Sequence, residues 1–195
     1  MAATWESILA GVGGRRPKRL AEDVLARAAV ALILGDGQGG IELLFIRRAE
    51  HADDPWSGQV AFPGGRSEPG EDDLRTTAIR ESREEIGVDL EEDARYIGAL
   101  DELRATARLR PLSLAITPYV FRLARRPDLR LSHEVRSAHW LSLEALLDPA
   151  CQQTFEYAYS GTALSFPCIR MGELVIWGLT YRMFLEFSSL AGAAP

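Results

Sequence analysis

The chain has 195 residues, a formal net charge of −6 and a sequence isoelectric point of about 5.2. Its hydrophobic content of 47% and charged content of 26% are those of a globular protein with one core. The acidic balance provides no overall attraction for nucleic acid or anionic lipid, and no apolar run reaches the ~18 residues of a membrane span. We therefore expect a cytoplasmic protein without nucleic-acid or membrane partners, with an N-terminal extension (1–25) and a single domain (26–195).

The first quarter of the chain predicts short helices and a β-hairpin. A short helix is expected on each side of the basic segment 15–19. Two β-rich runs, 27–34 and 41–47, flank the glycine-rich segment 35–40. Glycines between two such runs are a strong hairpin signal.

A loop, a short strand and a longer helix should follow. The loop covers 49–57 and the strand covers 59–62. Asp72 or Asp73 can cap a helix that runs to about Ile86, because a carboxylate accepts hydrogen bonds from the first turn. A glycine, residue 87, suits the C-terminal cap.

The second half predicts a mixed sheet with helices on both sides. Strands are expected at 95–102, 113–123 and 135–140. Ser142 caps a short helix through Leu147, and 155–175 is irregular or β-like. The last segment, 176–190, has helical spacing of Trp177, Tyr181, Phe184 and Phe187. The sequence leaves open whether this aromatic helix packs in the core or forms the contact of a homodimer.

Three carboxylates share one side of the helix that ends near residue 86. Glu81 and Glu85 lie one turn apart, and Glu84 is adjacent. Like charges at this spacing repel each other, so a positive group should lie among them. A hard divalent cation with oxygen ligands is one answer. The neighbouring Arg80 and Arg83 are the other.

The stretch 64–88 resembles the Nudix box, G-x5-E-x7-R-E-U-x-E-E-x-G-U, in which U is aliphatic. The matching positions are Gly65, Glu71, Arg80, Glu81, Glu84, Glu85, Gly87 and Val88. One extra residue lies between Glu71 and Arg80, and Ser82 replaces the aliphatic residue. The extra residue is shared by the coenzyme A diphosphatase branch of the family. The resemblance implies an α/β (α+β) fold, a Nudix-type α/β/α sandwich around a central mixed β-sheet.

The resemblance also implies a diphosphate hydrolase that uses Mg²⁺ or Mn²⁺. Glu81 and Glu85 are the leading metal ligands and Glu84 is third; which glutamate serves as general base differs across the family. The Gly65 carbonyl is a further candidate ligand, because a residue without Cβ allows close approach of the backbone. Glu134 lies in a segment that resembles the source of an additional catalytic glutamate. Its alternative is an exposed loop carboxylate.

Arg80 is expected to brace neighbouring carboxylates, since a guanidinium pairs with them in a fixed fork geometry. Glu71 is its natural partner, with a structural role. Gly64 and Gly87 are structural members of the same motif. The candidate catalytic residues are therefore Arg80, Glu81, Glu84, Glu85 and Glu134, with Glu50 and Glu102 as weaker ligand candidates.

Segments outside the box favour coenzyme A as the substrate. The run 58–66 is similar to the segment before the box in coenzyme A diphosphatases, and 176–180 resembles the C-terminal Trp-Gly region of that branch. The resemblance implies cleavage of coenzyme A or its thioesters into a phosphopantetheine derivative and adenosine 3',5'-bisphosphate.

One departure keeps other substrates open. This chain has Arg48-Ala49 and acidic residues with an aromatic at 53–57, where that branch carries cations. Arg48, Trp56 and Arg66 are candidate substrate contacts, although Trp56 can equally be a buried anchor. The alternatives are a broader hydrolase of ADP-ribose, NADH or sugar nucleotides, and a non-catalytic ligand sensor on the same fold.

Overall fold

The computed structural model describes residues 3–20, 24–52, 54, 56–107, 110–159 and 162–193. Within these residues, eight strands form one mixed sheet and three more form a small antiparallel sheet. In chain order the elements are α1 (Trp5–Val12), β1 (Ala26–Gly37), β2 (Gly40–Arg48), β3 (Val60–Ala61), β4 (Gly64–Arg66), α2 (Leu74–Ile86), α3 (Leu90–Asp93), β5 (Ala94–Ala99), β6 (Leu103–Ala107), β7 (Arg110–Leu123), β8 (Val135–Ser142), α4 (Leu143–Leu147), a 3₁₀ turn (Pro149–Cys151), β9 (Gln152–Tyr159), β10 (Thr162–Met171), β11 (Leu174–Trp177) and α5 (Gly178–Leu190).

The large sheet has the central order β3-β2-β1-β7-β5. Strands β1 and β7 run parallel, with Ala29 opposite Thr117. The remaining pairs are antiparallel, including β4 on β1, β6 on β7 and β8 on β2. The predicted mixed sheet is therefore confirmed.

Both faces of this sheet are covered, because the side chains of a strand alternate between its two sides. In β1, Ala29, Ala31 and Ile33 pack on one face with apolar residues of α2. On the other face, Leu32 and Leu34 belong to the core formed with α1, α4 and α5. The predicted α/β (α+β) sandwich is confirmed by this layered packing.

The β1–β2 hairpin has a tighter turn than the glycine-rich segment predicts. Gly37 pairs with Gly40, so only Gln38 and Gly39 connect the two strands. Gly40 has a φ of 108°, a conformation that favours glycine. The glycines therefore extend the ladder to its end instead of forming a long loop.

The C-terminal third departs from the predicted boundaries. The segment predicted as irregular or β-like forms strands β9 to β11, and β6 was not predicted. Trp177 was wrongly placed in the helix; it ends β11, opposite Cys168, and α5 begins at Gly178. The ring of Trp177 lies 4.9, 5.2 and 5.6 Å, centroid to centroid, from those of Phe155, Tyr157 and Phe166.

Helix α5 packs against the core of its own chain. Phe184 and Phe187 are fully buried there, so these two rings do not form contacts between copies. None of the described helices has the length and apolar character that a membrane crossing requires.

Helix α1 packs in the same core as the sheet. Ile8 and Val12 are fully buried, and both belong to the cluster that contains α5. Arg15, just after α1, pairs with Asp101 at 2.7 Å and with Glu186 of α5 at 3.2 Å. The helix predicted after the basic segment falls partly on 21–23, outside the described residues.

We expect Gly11→Ala to destabilise the fold by about 2 kcal/mol or more, because overpacking at a rigid contact costs about 1 to 3 kcal/mol. A Cβ at Gly11 would lie 1.7 Å from the backbone carbonyl oxygen of Leu190, so α1 and α5 would have to separate. Denaturant unfolding measures the effect. Gly39→Ala is the control, since a Cβ added at that position would meet nothing within 4 Å. Equal stability of the two variants would contradict the packing of α1 on α5.

Candidate active site

The glycine turn before α2 places its backbone in contact with the carboxylates of that helix. Gly64 has a φ of 151°, and a Cβ there would lie 2.3 Å from the carbonyl oxygen of Ala29. Its N–H donates to Oε2 of Glu85 at 2.8 Å. A Cβ on Gly65 would lie 2.3 Å from Oε1 of Glu81. Glycine at both positions is therefore what allows the turn to touch the acidic face of α2.

Helix α2 has the caps that its sequence predicts. The Asp73 side chain accepts a hydrogen bond from the Arg75 N–H at 2.9 Å, and Gly87 adopts the left-handed conformation with a φ of 71°. Ser82, the departure from the aliphatic consensus, is fully buried and donates its hydroxyl to the Ala78 carbonyl at 2.7 Å. The substitution therefore leaves no unsatisfied polar group on the inner face of the helix.

The three box carboxylates differ in exposure. The Glu85 side chain is 2% exposed, that of Glu81 is 14% exposed, and that of Glu84 is 59% exposed. Glu81 and Glu85 line a cavity of about 420 Å³ together with Glu134, which stands exposed just before β8. Glu84 is not among the lining residues and leans toward Arg80 instead.

Burial makes this cavity costly for negative charge. It raises the pKa of Glu85 to about 7, against the opposing effects of the Gly64 N–H and of Arg48. It also raises the pKa of Glu81, which Arg80 opposes. The charge of Glu134 acts in the same direction on both carboxyl groups. The mutual repulsion predicted from helical spacing is thus present between side chains that face one cavity.

The donor set suits a hard divalent cation, because Glu81, Glu85 and Glu134 all offer carboxylate oxygens to the cavity. Across the described part of the chain, no three His, Cys, Asp or Glu side chains are already arranged to hold a metal ion. Oε1 of Glu81 accepts from Arg80, and Oε2 of Glu85 accepts from Gly64. Each leading carboxylate therefore has a second oxygen that these bonds do not use.

Arg80 connects the glycine turn to the acidic helix. It donates to Glu71 at 2.9 Å, to Glu81 at 2.9 Å and to Glu84 at 3.1 Å. A further bond reaches the carbonyl of Arg66 at 3.0 Å. Glu71 also accepts from the Thr77 hydroxyl at 2.7 Å. The guanidinium thus fixes carboxylates that would otherwise repel each other.

We expect Glu71→Gln to destabilise the protein at pH 7 by about 1 to 2 kcal/mol. A pKa shift of about two units represents ~3 kcal/mol, but solvent screens a partly exposed pair and reduces that contribution. The hydrogen bond from Arg80 lowers the pKa of Glu71 to about 2. Because the unfolded chain protonates this group near pH 4.3, its stabilisation should be complete above that pH and vanish as the pH falls toward about 2.

Denaturant unfolding of wild type and variant from about pH 7 to about pH 2 measures this difference. The exposed Glu68→Gln provides the matched control, with unchanged stability throughout. A Glu71→Gln penalty that stays constant over the whole range would show that the charge of Glu71 contributes nothing.

The candidate substrate contacts also line the cavity. Arg48, Trp56 and Arg66 are all among its walls. Trp56 is half-buried. It packs against the core and also lines the cavity. Arg66 carries its side chain at the exposed rim.

The two weaker ligand candidates lie elsewhere. The Glu102 side chain is fully buried and accepts from Arg19 at 3.0 Å and Arg27 at 2.9 Å, which ties the N-terminal segment to the sheet. Glu50 pairs at the surface with Arg136, 3.0 Å away. Neither residue lines the cavity.

The sequence did not predict the apolar wall of the cavity. Leu179, Thr180 and Met183 of α5 form part of this wall, and the Thr180 hydroxyl donates to the Val60 carbonyl at 3.1 Å. Leu114 and Ile116 of β7 complete it. The one available signal was the similarity of 176–180 to the Trp-Gly region, which pointed to the segment but not to its position.

The NUDIX domain family matches residues 25–159, more than half of the chain. A protein with this mixed sheet, glycine turn and acidic helix is of the Nudix class, and the chain belongs to the NUDIX family. The resemblance drawn from the box is therefore confirmed. Nudix hydrolases as a family use divalent metal ions.

The individual relatives and solved structures that the chain resembles include a coenzyme A diphosphatase and an Ap4A hydrolase. The human mitochondrial coenzyme A diphosphatase NUDT8 is 30% identical over 192 residues, covering 92% of this chain and 78% of that protein. An uncharacterised Schizosaccharomyces pombe protein is 44% identical over 114 residues, which span 56% of this chain and only 34% of the length of that relative. The crystal structure of a Caenorhabditis elegans Ap4A hydrolase binary complex aligns with a TM-score of 0.51 and 26% identity, over 62% of this chain and 82% of that one.

Proposed function

We propose that the chain is a metal-dependent hydrolase of a diphosphate linkage in a nucleoside diphosphate derivative, with coenzyme A or acyl-coenzyme A as its substrate. The observation that carries this proposal is the meeting of Glu81, Glu85 and Glu134 in one cavity. Arginine side chains and an apolar wall line the same cavity. The products would be a phosphopantetheine derivative and adenosine 3',5'-bisphosphate.

The proposed roles follow from burial and contacts. Glu81 and Glu85 would hold Mg²⁺ or Mn²⁺, with the Gly65 carbonyl as an additional ligand and Glu84 as a third, outer carboxylate. The ion, when bound, supplies neutralisation of phosphoryl charge and a lower pKa for a water molecule. Arg80 keeps the carboxylates in place, and Glu134 lines the same cavity.

The apolar wall supports coenzyme A over substrates with a second sugar. Val60, Leu114, Ile116, Leu179 and Met183 bring no hydrogen-bonding side chains to this wall, and the Thr180 hydroxyl already donates to the Val60 carbonyl. A ribose buried there would lose its hydrogen bonds to water without replacement, which costs free energy. The pantetheine arm carries one hydroxyl and two amides, but its gem-dimethyl group and its thioethyl end are apolar and would pack on such a wall. Arg48 and Arg66 would contact phosphate, and Trp56 would pack on the substrate.

A broader nucleoside-diphosphate hydrolase is the second candidate. It is favoured by the acidic loop around Asp54, which lines the cavity where the coenzyme A branch carries cations. The likeness to an Ap4A hydrolase structure points the same way. The non-catalytic sensor has less support, since such a protein has no need for buried carboxylates at the cavity.

One substrate panel tests the proposal. Coenzyme A, an acyl derivative, ADP-ribose and NADH are incubated with the protein and Mg²⁺ or Mn²⁺, and the products are resolved by chromatography. We expect coenzyme A or its acyl derivative to give the highest kcat/KM, with Glu85→Gln as the control for contaminating hydrolases. Preference for ADP-ribose would establish the second candidate, and no turnover of any compound would favour the sensor.

The cytoplasmic location and the homodimer stay predictions. The human relative is named as mitochondrial, so location needs its own measurement, by fractionation of the producing cells. Sedimentation at several protein concentrations determines whether two copies associate.

A further inference from the structure

Arg48 lies between two carboxylates at the edge of the cavity. Its Nε donates to Oδ2 of Asp54 at 2.8 Å, and its Nη1 is 3.6 Å from Oε1 of Glu85. The Arg48 side chain is 25% exposed and that of Asp54 is 16% exposed. The pair with Asp54 is therefore the shorter contact, and the one with Glu85 is the looser.

The same Asp54 carboxylate also organises its loop. Its Oδ1 accepts the backbone N–H of Trp56 at 2.9 Å, which closes a turn of the kind that Asp side chains favour. Ser57 N–H donates to the Asp54 carbonyl at 3.1 Å. One side chain thus fixes both a cation and an aromatic residue of the cavity wall.

We infer that Asp54 is a positioning residue that keeps the guanidinium of Arg48 from closing fully onto Glu85 and leaves it available to the phosphates of the substrate. This inference rests on the proposed function. Because Asp54 binds the Nε side at 2.8 Å, the Nη1 end of Arg48 stays 3.6 Å from Glu85. Without Asp54, this loose pair with Glu85 would be free to close to hydrogen-bonding distance, and a closed Arg48–Glu85 pair would compete directly with a metal ion. Asp54 therefore contributes to phosphate binding indirectly, because it orients Arg48.

Asp54→Asn separates the orientation of Arg48 from the stabilisation of the loop. The amide keeps an oxygen for the Trp56 N–H but removes the charge that attracts Arg48. Two binding measurements apply: Mn²⁺ alone, followed by electron paramagnetic resonance, and methylenediphosphonate with Mg²⁺, followed by calorimetry. We expect the variant to bind both about tenfold more weakly, a typical effect of a group that orients the residues around a metal.

The Arg48 variants give the decisive comparison. Arg48→Ala should weaken the binding of methylenediphosphonate by about tenfold, which corresponds to ~1.4 kcal/mol, but should not weaken the binding of Mn²⁺. The double variant Arg48→Ala/Asp54→Asn should bind Mn²⁺ as wild type does, because the competing cation is gone. It should bind methylenediphosphonate no more weakly than Arg48→Ala alone, since coupled residues are not additive.

Asp128→Asn is the matched control, because it makes the same change of charge at an exposed position outside the cavity. If Asp54→Asn unfolds in a thermal scan, Asp54→Ser keeps a turn-capping oxygen and takes its place. Wild-type binding by Asp54→Asn, or a double variant that still binds Mn²⁺ weakly, would overturn the inference. Neither measurement uses turnover, so failure of the substrate panel leaves this result interpretable.

Discussion

Glu85→Gln is expected to lower kcat by at least ~10²-fold, which corresponds to about 2.7 kcal/mol of lost transition-state stabilisation. The side chain is buried at the cavity, and its Oε2 accepts the Gly64 N–H. Glutamine has the same shape and retains this hydrogen bond, so the change removes little besides the charge. Steady-state kinetics on the best substrate of the panel measures the loss, and unfolding should show a variant at least as stable as wild type.

The neighbouring Glu84→Gln is the matched control for position on the same helix. Glu84 is largely exposed and directed at Arg80, outside the cavity lining. Its variant should lose less than about tenfold in kcat, a difference below ~1.4 kcal/mol. Near-normal turnover by Glu85→Gln, or an equal loss in both variants, would contradict the assignment of Glu85 as a leading metal ligand.

Arg80→Ala is expected to reduce both metal affinity and kcat by about 10- to 100-fold, the range for residues that orient metal ligands. The substitution removes hydrogen bonds to Glu71, Glu81 and Glu84 and leaves the first two partly buried without their cation. Mn²⁺ titration and steady-state kinetics measure the two effects separately.

Arg80→Lys distinguishes charge from geometry. A lysine restores the positive charge but lacks the planar fork that reaches several acceptors, so we expect only partial recovery. Arg75→Ala, at an exposed position near the start of α2, should leave kcat and metal affinity unchanged. A loss confined to substrate affinity in Arg80→Ala would mean that this residue contacts the substrate instead of bracing the carboxylates.

The parts of the fold that the sequence predicted are those set by local patterns. The β1–β2 hairpin follows from two β-rich runs around glycines, and α2 follows from its capping residues, Asp72 or Asp73 at one end and Gly87 at the other. Strand β6 was missed because it is short and is stabilised by pairing with β7, which its own sequence does not encode. Trp177 has helical spacing with Tyr181. However, the contacts of its ring with β9 and β10 place it at the end of a strand.

The candidate site divides in the same way. The place of Gly65 came from the resemblance to the Nudix box. Glu81 and Glu85 lie on one helix, so their closeness was accessible from helical periodicity. The Arg48–Asp54 pair was not, because the sequence shows an acidic loop without showing which charge it meets. The contribution of Met183 was equally hidden, since it depends on how α5 packs in the core.

The cavity is lined by remote parts of the chain, the glycine turn and α2 as well as α5. Substitutions in α5 can therefore reshape the space for the organic part of a substrate while Arg80 and its carboxylates stay in place. In evolutionary terms, the proposed bond cleavage and the preference among substrates would then be separately mutable.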